Sequence, residues 1–182
     1  ISAHRQGIAL EESTLQLPQA GATFDVVEID ADWSEQRGNV QVKALALQDG
    51  PYPALAYRFT ASHEGSPLDV VVSSALWDRA RLVEFSRKAW AMVLQGYSQR
   101  SFEAALANED TTADEREQLT RSIEHRPALS DSAGLAQDAG VYKLIFVRLS
   151  PPPIFDRPLL QEIKDQFTGV VVLAEDGEEI TP

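Results

Sequence analysis

Cysteine is absent from the 182 residues. Disulfides, thiolate metal sites and cysteine nucleophiles are excluded with it. Histidine is nearly as scarce: His4, His63 and His125 stand far apart and form no H-x-x-x-H or similar ligand spacing. Basic charge is also short. Sixteen Lys and Arg face 28 Asp and Glu, a formal net charge of −12. A surface of that sign repels polyanions, because nucleic-acid binding rests on basic groups that displace counterions, and it repels an anionic membrane for the same reason. Long apolar runs are missing. The longest, Val70–Val72 and Gly169–Ala174, fall far below the ~18 residues of a spanning helix, and no stretch has the pattern of a signal peptide. Gly134 and Gly140 fit neither G-x-x-x-x-G-K-[ST] nor G-x-G-x-x-G, so no phosphate loop is present. These absences predict no cofactor, no nucleic-acid partner and no membrane insertion. They leave the compartment open between the cytoplasm and an exported location.

What remains is ordinary globular material. Hydrophobic residues make up 43% of the chain and charged residues 24%, close to typical domain usage, and the length suits one domain. The expectation is a single α+β domain over residues 1–182. Charge is unevenly spread: −6 over residues 1–75, +2 over 76–108 and −8 over 109–182.

Residues 1–75 read as mostly β. Short alternating runs at Phe24–Asp30, Asn39–Leu47, Ala54–Ala61 and Leu68–Ser73 are separated by polar or Gly/Pro breaks such as Asp49-Gly50-Pro51, which suits an antiparallel meander. Residues 76–126 read as helical. Trp77, Ala80, Val83, Trp90, Val93, Leu94 and Tyr97 recur at three- and four-residue steps, predicting one long amphipathic helix over Leu76–Gln95 with Ser74 as its N-cap. Thr112 followed by Glu115 is a capping box for a second helix from Ala113 to about His125. Residues 127–140 are small and polar and read as loop. Residues 141–182 read as strand–helix–strand: Val141–Leu149, a helix opened by Asp156 and Pro158, then Val170–Leu173, with the two strands able to lie parallel. The predicted architecture is thus an N-terminal antiparallel sheet packed by a long helix, with a C-terminal strand–helix–strand unit.

On this basis the leading functional reading is a non-catalytic binding or interaction domain whose acidic surface engages a basic protein. Two other readings stand beside it. Gln41 and Lys43 are two apart on one strand and so share a face, and Asp30 ends the preceding strand. An Asp with a second oxygen ligand can hold Mg²⁺, and a Lys can activate water beside it. This set, with the Leu68–Lys88 strand and helix, resembles the PD-(D/E)XK nuclease superfamily in the variants that carry Gln in place of the acidic residue. The resemblance implies a divalent-metal nuclease using Asp30, Gln41, Lys43 and Mg²⁺. The third reading is a small-molecule pocket lined by Trp77, Trp90 and Tyr97 between helix and sheet. Core packing is the commoner use of such an aromatic stripe.

Overall fold

The computed structural model describes residues 32–48, 50–51, 53–124, 126–150 and 156–182. Within them one seven-stranded sheet runs in the order β1-β2-β3-β4-β5-β6-β7. The strands are β1 (Trp33–Arg37), β2 (Val40–Leu47), β3 (Ala54–His63), β4 (Ser66–Ser73), β5 (Ala91–Tyr97), β6 (Lys143–Ser150) and β7 (Val170–Leu173). The described helices are α1 (Arg79–Phe85), α2 (Gln99–Ala107), α3 (Ala113–Ile123), α4 (Leu129–Ala139) and α5 (Asp156–Lys164).

The first four strands pair antiparallel, as their turns dictate. At the β3–β4 hairpin His63 pairs with Ser66, leaving Glu64 (φ 51°) and Gly65 (φ 81°) as a two-residue loop. Positive φ at both central residues is the primed turn that matches strand twist. From β4 onward every pairing is parallel. Parallel neighbours need a crossover, and α1, then α2 to α4, then α5 supply the three.

This arrangement corrects the predicted fold. There is no long helix over Leu76–Gln95: α1 has seven residues, Lys88 turns the chain at φ 54°, and Ala91–Tyr97 is a strand. The reason is burial. β5 lies between β4 and β6, with Ala91 and Met92 fully buried and Leu94 1% exposed. A parallel central strand reads as a near-continuous apolar run, and short apolar runs do not separate helix from strand by period alone. Ser74 accordingly caps no helix; Asp78 precedes α1. Residues 127–140 are likewise not loop. Leu129, Ser132, Ala133, Leu135, Ala136 and Ala139 form the buried stripe of α4, which ends at Gly140 with φ 64°. Its small residues let the helix lie close to its neighbours. The capping box at Thr112 and Glu115 is present, and β6 and β7 do lie parallel.

Register explains where the core sits. Directly paired residues share a face, so Leu45, Ala56, Ser73, Leu94, Phe146 and Leu173 form one row across the sheet. Leu82 of α1, Leu129, Leu135 and Ala136 of α4, and Leu159 and Ile163 of α5 join that row in a single cluster. The opposite face carries Tyr57, stacked on Phe59 at 6.3 Å between ring centroids, and Val72. Among the described residues no helix is long and apolar enough to cross a membrane.

Candidate functional site

In sheets of parallel strands, ligands bind outside the carboxyl ends of the strands. The carboxyl ends of β4, β5 and β6 lie side by side here, and each is locked by specific contacts. After β4, Ser73 Oγ donates to the carbonyl of Ala75 (2.7 Å), and the carbonyl of Ser74 accepts from Gln95 Nε2 (2.9 Å). After β5, the Tyr97 N–H donates to the carbonyl of Pro127 (3.0 Å). Ser98 Oγ accepts from the Ser101 N–H to cap α2, and it donates to Glu162 Oε2 (2.8 Å). The second oxygen of Glu162 accepts from the Gln99 N–H (3.2 Å). Glu162 of α5 therefore staples the start of α2. A Cβ added at Gly96 would come 2.8 Å from Cδ2 of the fully buried Leu129, so a larger residue there would force that side chain to shift.

The third strand end is irregular. Gln95 pairs with Val147 and Tyr97 with Ser150, so Arg148 and Leu149 together oppose Gly96. This is a β-bulge, a device that re-aims side chains and is over-represented beside active sites. Arg148 takes φ 52°, the left-handed region that glycine fills without cost and other residues fill at about 1–2 kcal/mol. Its side chain is exposed, and its carbonyl accepts from Arg126 Nη1 (2.9 Å). Arg126, Arg79, Trp77, Pro127 and Asp131 border an open depression of about 570 Å³. Arg79 is held by Asp138 at 2.6 Å.

The residues singled out from sequence fall elsewhere, in part. Asp30 lies outside the described residues, as do His4 and His125. Gln41 and Lys43 do share a face of β2. They line a recess of about 430 Å³ with Arg58, Thr60, Asp69, Glu84 and Phe85. Asp69 accepts from Arg58 Nη2 (2.6 Å) and from Thr60 Oγ1, while Arg58 Nη1 donates to the carbonyl of Phe85 (2.6 Å). Burial pushes the Asp69 carboxyl up, but the hydrogen bonds from Arg58 and Thr60 and the charges of Arg58 and Lys43 outweigh it and hold the pKa below its ordinary value. The two carboxylates of the recess, Asp69 and Glu84, are thus already committed to Arg58 and Arg87. Trp77 borders the depression beyond β4 and packs on Gly50, where an added Cβ would meet Nε1 at 2.2 Å. Trp90 precedes β5 with Lys143 Nζ 4.3 Å from its ring centroid, whereas Tyr97 ends β5 edge-on to Phe102 at 6.0 Å. A seven-residue strand separates these two, about 20 Å, so the three aromatics do not line one pocket. Gln95, Arg126, Arg148 and Glu162 carried no sequence signal, since only the alignment of parallel strands brings them together.

No known protein-family profile matches the chain, and no curated protein sequence does either. Solved structures do match. The metallo-β-lactamase fold protein YhfI from Bacillus subtilis superimposes with a TM-score of 0.59 at 19% identity, covering 92% of this chain and 61% of that one. Human tRNase Z, short form, gives 0.49 at 14% identity over 81% of this chain and 45% of that one. A protein of unknown function from Enterococcus faecalis V583 gives 0.32 at 11% identity over 88% of this chain and 48% of that one. The chain therefore has a metallo-β-lactamase-like fold and spans about three-fifths of the length of YhfI. Two expectations fall with this likeness. The antiparallel sheet under one long helix gives way to the mixed seven-stranded sheet, and the non-catalytic interaction domain gives way to a fold named for a hydrolase.

The name of the fold also speaks for a metal, against the expectation of no cofactor. The described residues do not fit one. Among them no group of three or more His, Asp or Glu converges, and cysteine is absent from the chain. His63 is exposed at the tip of the β3–β4 hairpin. Glu162 at the carboxyl edge is already engaged by Ser98 and Gln99. No chemical step is assigned to a metal on these residues.

Proposed function

We propose that this chain belongs to a hydrolase of the metallo-β-lactamase fold and that its substrate lies at the carboxyl edge of β4, β5 and β6. The likeness of the mixed sheet to YhfI, with the strained bulge of Arg148 at that edge, carries the reading. The residues there are assigned to holding substrate. Gln95, tied to the carbonyl of Ser74, and Glu162, tied to Ser98 and Gln99, fix the strand ends. Arg126 and Arg148 present positive charge against the open depression and the bulge. Guanidinium donors can stabilise negative charge that develops on a reacting group, and charge-assisted hydrogen bonds are roughly twice as strong as neutral ones; of the two, Arg126 is held by its bond to the Arg148 carbonyl.

The test is turnover of chromogenic esters, phosphodiesters and β-lactams by the full chain, with and without added Zn²⁺ or Mn²⁺. Saturable turnover of at least one class is expected, with kcat/KM falling about tenfold or more in Arg126→Gln, the order expected when an ionic hydrogen bond to substrate is lost. Rates no higher than the buffer blank across all classes and metals would overturn the hydrolase reading. Turnover indifferent to Arg126→Gln would move the site away from this edge.

A further inference from the structure

The backbone at Arg148 asks for glycine. Four described non-glycine residues adopt positive φ: Glu64, Asp78, Lys88 and Arg148. Glu64 and Lys88 lie in turns, and Asp78 precedes α1 with its carboxylate on Arg81 at 3.1 Å. Arg148 alone of the four lies within a strand. Strain of this kind persists where the surrounding structure enforces it, and it collects at ligand sites. The side chain gives the fold nothing visible in return. Among the described residues its guanidinium makes no hydrogen bond or ion pair, in a chain with 28 carboxylate side chains and 16 cationic ones. The other arginines of the sheet and of α1 are all paired: Arg37 with Glu35, Arg58 with Asp69, Arg79 with Asp138, and Arg81 with Asp32 and Asp78. Arg126 spends one N–H on the carbonyl of Arg148 and carries four more.

We infer that Arg148, supported by Arg126, is the seat for a single small oxyanion group, a phosphoryl or carboxylate oxygen set, on the ligand of this edge. The inference rests on the carboxyl-edge reading above and deepens it by naming the ligand's chemical class. A planar guanidinium meets such a group through two parallel N–H···O bonds. The bulge presents Arg148 at the strand end, and the bond from Arg126 fixes the peptide that carries it. Glu124 and Asp131 border the same depression as Arg126. With the net charge of −12, they favour one anionic group over a polyanion. A guanidinium also supplies positive charge at an edge where the described residues hold no metal-ligand cluster.

Thermal melting of the full chain in sodium chloride, sodium phosphate and sodium acetate at matched ionic strength tests the seat. Phosphate, acetate or both should raise the melting temperature by roughly 5–10 °C near a hundredfold excess over Kd, and the more effective anion identifies the group. Arg148→Gly should melt at or above the parent in chloride, because glycine enters the left-handed region freely, and should lose the anion-dependent rise. Arg148→Lys, which keeps the charge without the fork, should weaken anion binding at least severalfold. An equal rise in chloride, no rise in either anion, or a rise that survives Arg148→Gly would each overturn the seat. Chromogen turnover alongside a failed anion test removes the seat and leaves the hydrolase reading standing. A successful anion test without turnover does the reverse.

Discussion

Asp69 shows how one side chain ties β3 to β4 and, through Arg58, to the end of α1. It sits across β3–β4 from Thr60, accepts from Arg58, and Arg58 in turn closes the carboxyl end of α1 through the carbonyl of Phe85. The Arg58 and Asp69 side chains are only 20% and 18% exposed, so removing one partner leaves the other's charge poorly solvated. Asp69→Asn should cost about 1–3 kcal/mol at neutral pH, the usual penalty for a buried polar group left unsatisfied. The sign of the pH effect follows from the depressed carboxyl. The unfolded chain, with an Asp pKa of about 3.9, takes up the proton first, so the stabilisation is complete above that value and is lost as pH falls through the lower folded value. Urea midpoints across the acid range should show a steeper decline below about pH 4 for the parent than for Asp69→Asn. Parallel curves would mean that the pair contributes nothing to acid stability.

At the scale of elements, the excursion between β5 and β6 divides into two kinds of helix. α4 is buried along one side and belongs to the core, whereas α2 and α3 bury no residue fully. These two hold each other through polar contacts, Thr111 Oγ1 to the carbonyl of Ala105 (2.8 Å) and Arg116 Nη2 to the carbonyl of Asn108 (3.0 Å). α3 opens on a complete capping box, with Thr112 Oγ1 accepting from the Glu115 N–H and Glu115 Oε2 accepting from the Thr112 N–H. Elements with few buried apolar contacts open at low free energy and independently of the core. Thr112→Ala should remove about 1 kcal/mol of local stability. Hydrogen exchange should accelerate roughly fivefold in α3 while the global melting temperature stays within error. A matching loss of global stability would show that α3 unfolds together with the sheet.

Across the whole molecule, stability rests on the row that runs from Leu45 to Leu173 through the sheet. Phe146 is fully buried in that row beside Leu94, under α4 and α5. Phe146→Ala should cost about 3–5 kcal/mol, the range for emptying a buried aromatic site, and should move the urea midpoint sharply down. A midpoint shift below roughly 1 kcal/mol equivalent would place β6 at an edge and not in the centre of the core. The same strand carries the Arg148 bulge only two residues further on. Core and candidate site are therefore built on one strand, its packed part holding the irregular end in place.

The features legible in the amino-acid sequence were those set by neighbours in the chain. Alternation at Val40–Leu47, the capping box at Thr112 and Glu115, the helix opened near Pro158 and the strand at Val170–Leu173 all depend on contacts within a few residues, so local pattern sufficed. Ala91–Tyr97 was not legible as a strand, because its burial comes from β4 and β6 on either side, and neither neighbour leaves a mark on the spacing within it. The stripe of α4 was hidden for a related reason: Ala133, Ala136 and Ala139 are small because a packed neighbour lies close, and small residues read as loop when that neighbour is unseen. The candidate site is the extreme case. Gln95, Arg126, Arg148 and Glu162 are spread over 68 positions of sequence, and only the parallel alignment of strand ends, with a two-against-one bulge opposite Gly96, brings them to one edge. Chain-local chemistry decided which segments could be strands or helices. Tertiary structure decided which of them is central, which edge gathers charge, and where a residue is forced into a conformation its own side chain opposes.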